Sequence, residues 1–157
     1  MIRWIIIIAF STIAAVLTIY RPTVLADNDF LGEFVSHEIL ALLIIIVTIT
    51  LASIGNIHLT ITRLASRFEN KAEGELAAKP ARDELNSSGW SLLWAFGVCV
   101  VVLLLKGAYG SDVYVRSGAN GAALIVLLFN MLVLKDIYET VFDLVEQDGA
   151  AGEHKGE

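Results

Sequence analysis

Cysteine is nearly absent from this sequence. Cys99 stands alone in an apolar run, so no intrachain disulfide and no thiol metal cluster can form. It is expected to serve as a small buried apolar residue. Proline occurs only twice, as Pro22 and Pro80. Charge is sparse at 18%, with a net value of −6, which removes the basic surface that a nucleic-acid partner would need. The long apolar runs have no ionisable residue at their middle: Arg3, Lys106, Lys135 and Asp136 all fall at run ends. Such a residue at the bilayer centre would mark a proton relay or voltage sensor. The carboxylate pairs, histidine sets and nucleophile–base pairs that catalysis requires are also missing. No glycine-rich phosphate loop, zinc spacing or haem-attachment motif is present. The chain is therefore expected to be non-enzymatic, with no metal and no cofactor.

What is present is apolar. Over 157 residues the hydrophobic share is 56%, and mean hydropathy is +0.69. A soluble core of this size cannot hide so much apolar side chain. A bilayer core of about 30 Å needs roughly 20 apolar residues in a helix, and four stretches qualify, at about residues 2–20, 34–54, 90–109 and 119–138. Their β-branched runs would favour strands in water. In lipid, segment length and the lack of period-2 alternation decide for helix. The expected fold is an all-α membrane protein: a four-transmembrane-helix bundle with cytoplasmic extensions of helices two and four. It forms one domain over residues 1–149, followed by a disordered tail at 150–157.

The basic residues set an expected orientation. Cytoplasmic termini and a cytoplasmic second loop place Arg3, Arg63, Arg67, Lys71, Lys79, Arg82, Lys135 and Lys155 inside, and only Arg21, Lys106 and Arg116 outside. Trp4, Trp90 and Trp94 then gather at the inner face, and Tyr20, Tyr109 and Tyr114 at the outer one. The expected location is a plasma or bacterial inner membrane. A competing reading takes the first run as a signal peptide cleaved after Val24-Leu25-Ala26. The length of the run and its Arg21-Pro22 exit favour a span.

The first loop is acidic. Asp27, Asp29, Gly32 and Glu38 match positions 1, 3, 6 and 12 of a calcium loop. Leu31 stands at position 5, where an oxygen ligand is wanted, so a solvated loop whose Asp or Asn caps the second span is the expectation. Residues 107–118 read as a short external turn. Residues 69–88 read as a cytoplasmic connector, broken at Pro80, with Asn86-Ser87-Ser88 capping the third span.

The cytoplasmic extensions carry the interaction signal. Ile54, Ile57, Ile61, Leu64 and Phe68 continue the apolar face of the second span at steps of three and four, with Arg63, Arg67 and Lys71 on the other face. The fourth span continues with Leu134, Ile137, Val141, Leu144 and Val145, and carries an acidic stripe of Asp136, Glu139, Asp143 and Glu146 up to a stop near Gly149. Arg63, Arg67 and Lys71 are candidates to pair with Glu139, Asp143 and Glu146 in a short stalk. Solvated extensions touching anionic lipid are the alternative.

Milder polar residues lie within the spans. Asn130, Thr50, Ser53 and Asn56 are candidates for helix–helix hydrogen bonding or for lining a pore. Gly97, Gly118, Gly121 and Ala122 permit close helix approach. The expected function is that of a membrane component acting as a homo-oligomer or as a subunit of a larger membrane complex. An oligomeric ion-conducting pore or membrane-disrupting effector is the alternative. The expected partners are the lipid bilayer and other protein chains, with no nucleic acid.

Overall fold

The computed structural model describes residues 2–66 and 71–153. All regular structure among these residues is helical. Helix α1 spans Ile2–Tyr20, α2 Thr23–Ala26 and α3 Asp29–Glu33. A kinked segment, Phe34–Glu38, leads into α4 at Ile39–Ala65. Helix α5 spans Lys71–Ala108, and α6 spans Val113–Glu153. Four stretches are long and apolar enough to cross a membrane: Arg3–Tyr20, Asp29–Arg63, Ala72–Ala108 and Val113–Thr140.

Several elements differ from the sequence reading. The external turn expected at 107–118 is confined to 109–112, because α5 reaches Ala108 and α6 begins at Val113, and the expected first loop contains α2 and α3. The connector expected at 69–88 is helical from Lys71 onward, and Pro80 lies inside α5 without ending it. A proline frees the carbonyl four residues earlier. Pro80 and Leu76 are both exposed, where water can solvate that carbonyl. Asn86-Ser87-Ser88 accordingly lie within the helix and cap nothing. At the other end, α6 runs through Gly149 to Glu153, so the expected stop and the first residues of the expected tail are helical.

The chain divides into two compact units, one of Met1–Val47 with Leu92–Leu132, the other of Thr48–Ser91 with Val133–Glu157. In the first, Leu25, Leu31, Val35, Ile39, Leu43, Cys99, Ala123 and Val126 form a continuous buried cluster. Cys99 is fully enclosed in it, as expected of a small apolar residue. Helical backbone is interrupted at Val35 (φ −84°, ψ 59°) and Ser36 (φ −139°, ψ −135°). Lys106 Nζ donates to the Val35 carbonyl at 2.7 Å, giving a backbone acceptor beside this interruption a charged donor. Asn28 caps α3, its side chain accepting from Leu31 N at 3.0 Å. Asp112 does the same for α6, accepting from Tyr114 N and Val115 N. The polar cap expected in the first loop is thus made by Asn28, on the short α3 that precedes α4, and the Asp112 cap was not foreseen.

In the second unit the buried side of α4 carries Thr50, Ile54, Ile57, Ile61 and Ala65. The periodic face read from Ile54, Ile57 and Ile61 is therefore the buried one. Phe68 lies outside the described residues, as does the side chain of Leu64. Helix α5 contributes Leu85 and Gly89, and α6 contributes Val133 and Ile137. Gly89 lies against Ile54 and Leu51. Gly74 packs so closely that a Cβ there would meet the Ala65 carbonyl oxygen at 2.3 Å.

Candidate functional site

The first unit carries a polar clasp that joins the end of α1 and the start of the first loop to α6. Arg116 pairs with Asp27 at 3.0 Å. Ser117 Oγ donates to Thr18 Oγ1 at 3.1 Å. Asn120 Nδ2 donates to the Leu25 carbonyl at 2.7 Å. Ser117 and Asn120 are fully buried, and their spacing puts both on one face of α6. Below them, Gly121 sits against Ala14 and Leu25, where an added Cβ would lie 3.4 Å from the Ala14 Cβ. The close approach expected at Gly118 and Gly121 is thus made against α1. Gly97, expected to do the same, faces open space.

Sequence reasoning did not single out Ser117 or Asn120. Their partners lie 99 and 95 residues away, and for Asn120 the acceptor is a backbone carbonyl with no side-chain signature. The only signal was their three-residue spacing, which puts them on one side of α6.

The candidate polar residues fall into two groups. Asn130 and Thr50 are buried, with 0% and 1% exposure. Asn130 Nδ2 donates to the Val126 carbonyl of its own helix at 2.8 Å, where an interhelical bond was expected. Its Oδ1, like Thr50 Oγ1, has no partner among the described residues. Ser53 and Asn56 are exposed, and Ser53 Oγ donates to the Ile49 carbonyl. The structure therefore does not gather these four residues on one surface.

Of the six charged candidates, Arg63 and Glu139 are exposed. Glu139 pairs with Lys135 on its own helix. Arg67 lies outside the described residues, as do the side chains of Lys71, Asp143 and Glu146. Beside these charges α6 exposes Leu134, Tyr138 and Phe142, the last two at 60% and 57%. The Tyr138 and Phe142 rings lie 4.6 Å apart. Sequence reasoning placed Leu134 on the apolar stripe with Ile137. The structure buries Ile137 and turns Leu134 outward, in line with Tyr138 and Phe142.

Among the described residues no group of three or more His, Cys, Asp or Glu side chains comes together as a metal site. In the first loop, Asp27 is instead engaged by Arg116, and Leu31 is buried.

The helices define the class: an all-helical chain with four candidate membrane spans. Comparison with protein families, with curated proteins and with solved structures gives no match in any of the three.

Proposed function

We propose that this chain is a non-catalytic integral membrane component that works by association, as a homo-oligomer or as a subunit of a larger membrane assembly. The observation that carries this reading is the exposed Leu134–Tyr138–Phe142 stripe on α6. At 41 residues, α6 is about 60 Å long, roughly twice the thickness of a hydrocarbon core. Leu134 and Tyr138 lie at the end of the candidate span Val113–Thr140, and Phe142 carries the apolar stripe beyond it. Aromatic residues are enriched among the anchors of protein–protein contacts. In the orientation read from the basic residues, this end of α6 lies on the cytoplasmic side of the membrane.

The burial of Asn130 and Thr50 within one chain supports the same reading. A shared pore would need its polar lining on the outside of each protomer. A second reading, an oligomeric pore, rests on the exposed Ser53 and Asn56 of α4. Native mass spectrometry of the full chain in nanodiscs tests the first reading. A discrete oligomer or a stoichiometric co-purified partner, lost in the Tyr138→Ser/Phe142→Ser double variant, supports it. Ion flux through liposomes that Ser53→Ala and Asn56→Ala abolish would replace it with the second.

A further inference from the structure

The second unit contains a cleft of about 130 Å³ lined by Thr62, Ala65, Ser66, Glu75 and Arg82. It lies where the apolar stretch of α4 ends, since the candidate span there closes at Arg63. Arg82 is held in a fixed place. Its terminal nitrogen donates to Thr62 Oγ1 at 2.9 Å. Thr62 Oγ1 in turn donates to the His58 carbonyl at 2.8 Å, which leaves it as an acceptor toward the guanidinium. A guanidinium has five N–H donors in a rigid fork suited to phosphate. Among the described residues, Arg82 donates to no other acceptor, and its Nε is enclosed without a partner. Glu75 lines the same cleft, yet no salt bridge among the described residues joins it to Arg82. The cleft thus holds one cation and one carboxylate that form no salt bridge with each other.

A simple anion would be opposed by Glu75, and a simple cation by Arg82. A ligand carrying both charges a few bonds apart matches both walls. We propose that this cleft binds a phosphate ester with a primary ammonium group, phosphoethanolamine either free or as a lipid headgroup. The phosphate is held by Arg82, and the ammonium by Glu75; the Ser66 hydroxyl on the same wall donates to the Arg63 carbonyl at 2.7 Å. A primary ammonium can donate hydrogen bonds to Glu75, which the quaternary ammonium of choline cannot. This goes beyond association through α6 and does not depend on it.

The test uses the full chain in detergent, by native mass spectrometry with phosphatidylethanolamine, phosphatidylcholine and phosphatidylglycerol of identical acyl chains, and with O-phosphoethanolamine in solution. The expected result is retention of phosphatidylethanolamine about tenfold above the other two, the size of one charge-assisted contact. Arg82→Gln removes the preference. Glu75→Gln brings phosphatidylethanolamine down to phosphatidylcholine. Thr62→Val removes the acceptor that positions Arg82 and weakens the preference in part; an Arg82→Gln variant that melts like the wild type shows that its loss is not a folding effect. Binding of O-phosphoethanolamine without lipid preference supports the site and assigns it a soluble ligand. Lipid preference that millimolar O-phosphoethanolamine does not disturb supports the site and assigns it the headgroup. Phosphatidylglycerol retained as well as phosphatidylethanolamine would overturn the proposal. So would a preference that survives both Arg82→Gln and Glu75→Gln, or no binding of either kind.

Discussion

The two compact units differ in how many of their polar groups reach across to another element. In the unit of Met1–Val47 and Leu92–Leu132, polar side chains reach across to other elements: Arg116 to Asp27, Ser117 to Thr18, Asn120 to Leu25, Lys106 to Val35. In the unit of Thr48–Ser91 and Val133–Glu157, many reach only one turn back along their own helix, as do Ser53, Thr60, Thr62 and Thr140. Lipid gives helices no hydrophobic reason to associate, so packing and interhelical hydrogen bonds must hold a membrane fold together. The first unit meets that need with its own residues. The second leaves Arg63, Glu139, Tyr138 and Phe142 on its surface. Arg82 to Thr62 crosses between helices there, and it borders an open cleft.

Substitutions can break this contrast or sharpen it. The largest effect is expected where the second unit has its closest backbone contact. Gly74→Leu must displace the Ala65 carbonyl and should cost about 3 kcal/mol, the upper end for overpacking, read as a fall in the melting temperature of the detergent-solubilised chain. An unchanged melt would mean that α4 and α5 do not meet at that point. Lys106→Met comes next, because it strips the Val35 carbonyl of a charged donor; a loss of about 2 kcal/mol is expected in the same assay. Asn120→Ala should cost about 1 kcal/mol, within the range measured for hydrogen bonds between membrane helices. Glu139→Gln breaks an exposed pair within one helix and should change stability by less than about 0.5 kcal/mol. If Glu139→Gln proved more costly than Asn120→Ala, the contrast between the units would be reversed.

Much of the helical organisation was legible in the sequence. Ile54, Ile57 and Ile61 keep a three-and-four spacing that only a helix with one buried side explains, and that side is buried. Gly121 was readable as a place for close approach because glycine leaves room for a neighbouring helix, here α1 at Ala14. Gly97 has the same composition signal and no neighbour within 4 Å, since room for an approach does not create one. Continuity through Pro80 was not legible. Proline normally ends a helix because a buried freed carbonyl is costly, and the exposure of Leu76 and Pro80 relieves that cost. Asn120 was hidden because its acceptor is a main-chain carbonyl. The Val35–Ser36 interruption was hidden because neither residue type demands it, and the donor beside it, Lys106, is 71 residues away. The cleft at Arg82 was hidden for a similar reason: Thr62 and Arg82 lie 20 residues apart on two helices whose register no local pattern gives.

The central claim is that this chain works by association through the exposed end of α6. Its most direct test is the mass of the full-length protein in nanodiscs, wild type beside the Tyr138→Ser/Phe142→Ser double variant. Both residues are exposed, so the double variant should keep the wild-type melt. The account predicts a discrete assembly for the wild type and a monomer for the variant. An assembly that survives the double substitution unchanged, or a wild type that is monomeric and retains no partner, would contradict it.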